Sequence, residues 1–273
     1  MTEREQPGAA GGQPLANNRE WKDGTPVTPD RHAFRPEQRF LQGPQTRGFE
    51  LRLLVRIFFE FLNGFRKLHF VGPCVTVFGS ARFVEGHRYY TLAREVGAHL
   101  AEAGFTVMTG GGPGIMEAAN RGAKDVGGRS VGCNIKLPKE QKPNRFLDIM
   151  VECDHFFVRK VLLVKYSYAF IAMPGGFGTY DEVFEAATLI QTGKIRDFPI
   201  VLVGSEFWTP LLELMRAKLL AEGTIAEADI GLFHVTDSAE EAVAHIREIA
   251  MKRFGLTYGP KIRKRWFWEL GWR

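Results

Sequence analysis

The stretch Pro174-Gly175-Gly176-Phe177-Gly178-Thr179-Tyr180-Asp181-Glu182 decides how this chain is read. It follows the apolar run Ala169-Phe170-Ile171-Ala172-Met173, which reads as a buried strand. It precedes Val183-Phe184-Glu185-Ala186-Ala187-Thr188-Leu189-Ile190, which reads as the body of a helix. A strand that turns through glycines into a helix aims several backbone N–H groups and the positive end of a helix dipole at one place. Both favour an anion, and phosphate above all. Glycines let the backbone come close to a ligand, and Thr179 is placed to cap the helix or to donate to a phosphate oxygen. Asp181 and Glu182 are unusual company for an anion. The stretch therefore reads as a loop that holds a phosphate and also does chemistry.

Working outward, the same strand-to-helix grammar repeats. Cys74-Val75-Thr76-Val77-Phe78 is an apolar run ending in Gly79-Ser80-Ala81-Arg82, with a helical pattern from His87 to Ala103 behind it. Phe105-Thr106-Val107-Met108 ends in Thr109-Gly110-Gly111-Gly112-Pro113-Gly114, and a helix is expected over Ile115 to Lys124. Strands are expected at Ser130 to Ile135 and Asp148 to Cys153, then a helix from Phe157 to Ser167 that leads into the opening stretch. Ile200 to Val203, a helix across Trp208 to Leu220, Leu232 to Val235 and a helix from Ala239 to Met251 complete the pattern. Short apolar runs alternating with helices mean parallel strands joined by right-handed crossovers, and continuous apolar strands mean a sheet covered on both faces. The expected class is α/β, a Rossmann-like, doubly wound parallel sheet. Ligands of such sheets sit beyond the carboxyl ends of the strands, where all three glycine-rich turns lie.

Two flanking segments do not follow this grammar. Residues 1–46 carry scattered proline and glycine and few apolar residues, so they read as a flexible arm, with Trp21, Phe34 and Phe40 as its candidate anchors onto the body. From Gly48 to about Phe70 a helix is expected with an odd circumference. Arg52, Arg56, Glu60 and Lys67 form a narrow polar stripe, Leu51, Leu54, Val55, Phe58, Leu62 and Phe65 one apolar face, and Leu53, Ile57 and Phe61 another. A surface helix needs one apolar stripe. Two predict packing between the body and a partner subunit, or burial within one subunit. Residues 47–255 are taken as the single nucleotide-binding domain and 256–273 as a basic, aromatic tail.

Composition bounds the function classes. A chain of 273 residues that is 45% apolar can bury a full α/β core. Its net charge of +5 resides in the segment Lys252 to Arg273, which leaves the body near neutral, so nucleic acid is not an expected partner. Cys74, Cys133 and Cys153 lie in apolar runs without short spacing and read as reduced core thiols, and Cys153-Asp154-His155 is too sparse for zinc. No metal or cofactor is expected. The first 47 residues lack the apolar core of a signal peptide and no stretch is apolar enough to span a bilayer, so a cytoplasmic protein is expected.

The phosphate ligand narrows by exclusion. G-x-G-x-x-G started at Gly110 meets Ile115 at its third glycine, and started at Gly176 it meets Asp181, so the dinucleotide fingerprint fails twice. No Walker-type G-x-x-x-x-G-K-[ST] exists. A mononucleotide or a sugar phosphate remains. Arg159-Lys160, at the start of the preceding helix, place two cations toward the same edge, although taken alone they read more readily as a solvated helix start; Glu182 alone would pass as a first-turn acid stabilising its own dipole.

Pro174-Gly-Gly-Phe-Gly-Thr179-Tyr-Asp-Glu182 resembles the P-G-G-x-G-T-x-x-E signature of the Lonely Guy family, long labelled as lysine decarboxylases. Arg159-Lys160 falls where that family has its paired Arg-Lys, Gly110 to Glu117 is similar to its second phosphate motif, and Gly79-Ser80 to its first. Leu137 to Asn144 resembles the longer, type II branch. The resemblance runs from about Val75 to Gly204. It implies a phosphoribohydrolase, which cleaves the N-glycosidic bond of a nucleoside 5′-monophosphate (a cytokinin riboside monophosphate or AMP) to free base and ribose 5-phosphate. It implies homo-oligomers, dimers or hexamers. It places Glu182 as the group that stabilises ribosyl cation and orients water, and Arg159 beside the leaving group. Gly79, Ser80, Gly110, Gly111, Gly112, Gly114, Gly175, Gly176, Phe177, Gly178 and Thr179 would surround the phosphate, with Glu140, Lys160, Asp181 and Thr188 around the substrate. Asp181 stands where the family often has glutamate.

Three other readings compete. A non-catalytic nucleotide-binding module would use the same glycine loops but has no need of Arg159 with Glu182. Pyridoxal phosphate chemistry would need a Schiff-base lysine, for which only Lys160 and Lys165 offer themselves. Lys261-Ile262-Arg263-Lys264-Arg265-Trp266-Phe267-Trp268 would suit nucleic acid or an anionic membrane surface, or a tail packed on a neighbouring subunit.

Overall fold

The computed structural model describes residues 40–136 and 143–254, together with residue 37 and the pairs Trp21–Lys22 and Thr25–Pro26. The arm was expected to lack regular structure, yet Trp21–Lys22 pairs antiparallel with Thr25–Pro26. Residues up to Gly43 form a unit separate from those from Pro44 onward. Glu140, Phe34 and the basic tail lie outside the described residues.

Seven parallel strands make the main sheet: β1 Cys74–Phe78, β2 Thr106–Thr109, β3 Ser130–Ile135, β4 Ile149–Cys153, β5 Ser167–Ala172, β6 Ile200–Val203 and β7 Phe233–Thr236. Their spatial order is β4-β3-β2-β1-β5-β6-β7, and every neighbouring pair is parallel. The winding reverses between β1 and β5, where a doubly wound sheet opens a crevice for ligands.

Strand side chains alternate between two cores. On β1, β5 and β6, Phe78, Phe170, Ala172, Ile200 and Leu202 join one cluster, while Val75, Val77, Ala169, Ile171, Val201 and Val203 join the other. The first cluster is completed by helices α1 Arg47–Leu68, α4 Phe156–Tyr166, α5 Phe177–Gln191 and α6 Ser205–Leu214, whose turns widen to a π-helix over Met215–Leu220. The second takes α2 Arg88–Glu102, α3 Ile115–Asp125 and α8 Ala239–Phe254; a short α7, Glu227–Ile230, lies between α6 and β7. Both faces of the strands are therefore buried, which is why the sequence runs are continuously apolar rather than alternating.

The helix ahead of the sheet has the two faces its sequence announces. Leu53 and Leu68 are buried and Ile57 and Phe61 pack on the first core, each buried leucine worth about 2 kcal/mol. Leu51, Leu54, Val55, Phe58 and Phe59 are exposed, so this face is left open among the described residues. Gly64 lets α1 approach α4: a methyl at that position would lie 2.5 Å from Leu162 Cδ1.

One boundary changes the reading of the site. Helix α5 begins at Phe177 with Gly176 as its N-cap, so the glycine loop is only Pro174 to Gly176. Glu182 therefore stands in the second turn and not the first, and Thr179 lies inside the helix rather than capping it. The helix begins early because nothing from Phe177 onward forbids helical backbone, and Gly178 is tolerated near the open end.

Candidate active site

The carboxyl ends of β1 and β5 continue to pair past the sheet. Met173 N–H donates to Phe78 O at 2.8 Å and Ser80 N–H to Pro174 O at 3.0 Å. Ile115 N–H donates to Ser80 O at 3.0 Å, which ties the start of α3 to the same turn. The Gly79-Ser80, Gly110 to Gly114 and Gly175-Gly176 turns are thus joined through their backbones. Close approach requires glycine at Gly175, where a methyl would sit 2.1 Å from Thr179 Oγ1 and 3.1 Å from Ser80 N. Thr179 is buried beneath it, whereas Gly176, Phe177 and Gly178 form the exposed lip of the N-terminus of α5. Phe177 is 97% exposed, an unusual position for a phenylalanine.

Beneath the second glycine turn lies a buried polar network that the sequence reading missed. Thr109 Oγ1 donates to Asn120 Oδ1 at 2.7 Å and accepts from Gly111 N–H at 2.9 Å. Asn144 Nδ2 donates to Asn120 Oδ1 at 3.0 Å and to Gly112 O at 3.1 Å. Asn144 N–H also donates to Gly111 O at 2.9 Å. Asn144 and Asn120 thus hold Gly111 and Gly112 in place from below. Nothing in a single sequence marks two asparagines 24 residues apart as partners.

Arg159 rises from the first turns of α4. Its Nε donates to Cys133 O at 3.1 Å, and its Nη2 lies where a methyl on Gly110 would be 2.9 Å away. The guanidinium is thereby laid against the second glycine turn, and any side chain at Gly110 would displace it. Lys160, next to it, bridges to α5 through Asp181 Oδ1 at 2.9 Å and Glu185 Oε2 at 3.0 Å. Both cations stand at the ligand edge, but Lys160 is engaged by two carboxylates that flank Glu182.

Glu182 is 2% exposed, and its Oε2 makes no hydrogen bond among the described residues. Burial pushes its carboxyl from the ordinary 4.5 up to about 7. Arg159 and Lys160 pull the other way, and the charges of Glu185 and Asp181 add to the rise. A carboxyl so placed exchanges its proton near neutral pH, as a general base or acid must. Thr188 is not drawn to the loops: its hydroxyl donates to Phe184 O at 2.7 Å, and it lies about 9 Å along α5 from Glu182. Glu140 falls outside the described residues. Among the described residues no group of His, Cys, Asp and Glu is arranged to hold a metal ion.

A second cleft opens farther along the same edge, about 360 Å³ in volume and lined by Arg88, Tyr89, Leu92, Ser205, Glu206 and Asp237. Its charges are compensated. Arg88 Nη2 pairs with Glu206 Oε2 at 2.7 Å, and Asp237 accepts from Ser205 N–H at 2.7 Å and from Ser205 Oγ at 2.5 Å.

Comparison with known proteins finds relatives of one family. A family model described as "Possible lysine decarboxylase" matches residues 116–246. The cytokinin riboside 5′-monophosphate phosphoribohydrolase of Rhodococcoides fascians is 33% identical over 177 residues, 63% of this chain and 88% of the relative. The protein of the same name from Mycobacterium tuberculosis is 34% identical over 154 residues, 56% of this chain and 82% of the relative. Among solved structures, the X-ray structure of TM1055 superposes with a TM-score of 0.50 at 26% identity, covering 64% of this chain and 99% of that one.

Proposed function

The chain belongs to the Lonely Guy family of cytokinin riboside 5′-monophosphate phosphoribohydrolases, and from that premise we propose that it hydrolyses the N-glycosidic bond of nucleoside 5′-monophosphates. Free base and ribose 5-phosphate are the products. The single observation that carries the reading is Glu182, a buried carboxyl with an unpartnered oxygen and a pKa near 7, set beside joined phosphate-type turns. A nucleotide-binding module has no use for such a group, which destabilises its own fold whenever it ionises.

In this reading the 5′-phosphate lies at the N-terminus of α5, on the amides of Gly176 to Thr179. That anchorage fixes C1′ of the ribose near Glu182 and converts an encounter with water into a positioned reaction. The C1′–N bond breaks with its electron pair passing to the base, and positive charge develops on the ribosyl ring. Ionised Glu182 stabilises that charge and takes the proton of the water that adds to C1′, and that proton then passes to the departing base, which leaves neutral while Glu182 is ionised again. Arg159, against Gly110, steadies the departing base or the phosphate. Phe177 offers an exposed ring at the mouth. Lys160 is placed to hold Asp181 and Glu185, and it serves the site by fixing α4 to α5. Lys160 and Lys165 do not favour pyridoxal phosphate, since the first is held by two acids and the second lies over Phe65 and Tyr166.

Cytokinin riboside monophosphates are the substrates named for the relatives, and AMP shares their ribose 5-phosphate and adenine core. Both belong to the proposal. So does self-association through the exposed face of α1, because Leu51, Leu54, Val55, Phe58 and Phe59 leave a broad apolar surface open. Three buried free cysteines suit a reducing cytoplasm. No described helix is long and apolar enough to cross a membrane.

The test is chromatography of products from a panel of nucleoside 5′-monophosphates, with the matching nucleosides as controls. Base release from the monophosphates, lost in Glu182→Ala, is expected. Equal turnover of nucleosides lacking phosphate would remove the role given to the glycine turns. Nucleotide binding without turnover, in wild type and Glu182→Ala alike, would make the protein a binding module.

A further inference from the structure

Of the polar stripe on α1, Arg52, Arg56 and Lys67 are exposed as a solvated stripe should be, but the Glu60 side chain is only 8% exposed. It points inward to the start of α4. Glu60 Oε1 accepts from Asp154 N–H at 2.8 Å and from His155 N–H at 3.1 Å, and Glu60 Oε2 lies 2.7 Å from His155 Nδ1. The His155 side chain is fully buried. A carboxylate is costly to bury unless several donors reach it, and here three do. His155 is the N-cap of α4 yet provides no side-chain cap of its own. A carboxylate from another helix therefore fixes the positive end of α4.

One turn farther on stands Arg159. Its N–H bonds to His155 O at 3.3 Å, so the clamped residue and the guanidinium-bearing residue share one helical turn. Its Nε is held by Cys133 O, and its Nη2 abuts Gly110. Glu60 also lies outside residues 116–246, the stretch matched by the family model. We propose that Glu60 is a positioning residue of the active site: from α1 it clamps Asp154 and His155 and thereby sets where Arg159 stands. The proposal rests on the role given to Arg159 and Glu182 above. It makes α1, otherwise an addition to the domain, a working part of the site.

The charged groups that act on Glu182 are Arg159 and Lys160 from α4 and Asp181 and Glu185 from its own helix. Arg159 is the larger of the two influences that hold the Glu182 carboxyl down. A displaced Arg159 therefore lets that carboxyl titrate at higher pH, an effect that simple loss of stability does not produce. Glu60→Ala should lower kcat about tenfold with KM nearly unchanged. It should also move the acid limb of the pH–rate profile, and the Glu182 titration seen by 13C NMR, upward by about half a pH unit. In an Arg159→Ala background, Glu60→Ala should add nothing further to kcat.

Lys67→Ala is the matched control, since Lys67 Nζ donates to Met150 O at 3.0 Å and anchors the same helix away from α4. It should lower Tm without moving the Glu182 titration. Should Glu60→Ala fail to fold, Glu60→Gln, which keeps an acceptor for the two amides, takes its place and should show the same changes in reduced form. A fall in Tm alone, with kcat and the Glu182 titration at wild-type values, overturns the proposal, as do independent effects of Glu60 and Arg159. If the wild-type protein releases no base, the catalytic reading fails on its own, and the NMR titration still decides whether Glu60 positions Arg159.

Discussion

Two clefts share the carboxyl edge of one sheet, and both are served by helix N-termini. At the β6 and β7 end, Arg88 meets Glu206 and Asp237 meets Ser205, so each charge has its partner. At the β1 and β5 crossover, Glu182 is buried with one oxygen unpartnered, and its carboxyl is pushed up to about 7. The first has its charges balanced and the second does not. The lesson is that helix dipoles recur along such an edge, while a carboxyl kept at a cost to the fold marks the candidate place for chemistry.

The sharpest way to break this contrast is Glu182→Ala, which should lower kcat for nucleoside 5′-monophosphate hydrolysis by about 10³-fold. Retained turnover would mean that the unbalanced carboxyl is not the reacting one. Arg159→Ala should cost roughly 10²-fold, read in the same base-release assay. Next comes stability. Folded Glu182 binds its proton more tightly than the unfolded chain does. The stability this group provides is therefore complete below pH 4.5 and lost as pH rises through about 7. Glu182→Gln escapes that loss, and denaturant titrations at pH 8 should find it more stable than wild type by up to about 3 kcal/mol, a gain that vanishes near pH 4. The compensated cleft should behave in the opposite way. Asp237→Ala should cost about 1 kcal/mol through the lost hydrogen bonds at the start of α6, with turnover unchanged. Arg88→Ala should leave both Tm and turnover at wild-type values, because its ion pair with Glu206 is exposed.

How much of this could be read from the chain depends on the range of the interaction. Strand and helix identity is local, and the apolar runs from Cys74 to Val235 located all seven parallel strands within one or two residues. The three glycine turns were legible because a turn, a close approach and a helix start all leave glycine at fixed points. The start of α5 was misplaced, since glycines read as loop are also compatible with an opening helical turn. The asparagines beneath Gly111 and Gly112 were not legible, because a hydrogen bond between Asn120 and Asn144 leaves no periodic trace. Glu60 was read as part of a narrow polar stripe, and the packing of α1 on α4, allowed by Gly64, turns it inward. Thr188 was placed around the substrate by resemblance, and in the structure its hydroxyl donates to Phe184 O.

The placement of β1 has a consequence for how the protein comes into being. Its Val75 pairs with Ala169 of β5, about 94 residues later in the chain. During synthesis at ~5–20 residues per second, one edge of β1 therefore waits on the order of 5–20 s for its partner, while β2, β3 and β4 are already available on the other side. The half-sheet formed in that interval ends in an unpaired, largely apolar strand, the kind of edge that invites association with other nascent chains. Arrival of β5 closes the edge and, in the same event, brings Pro174 onto Ser80. The nascent protein is relieved of an adhesive edge at the moment its candidate active site first exists.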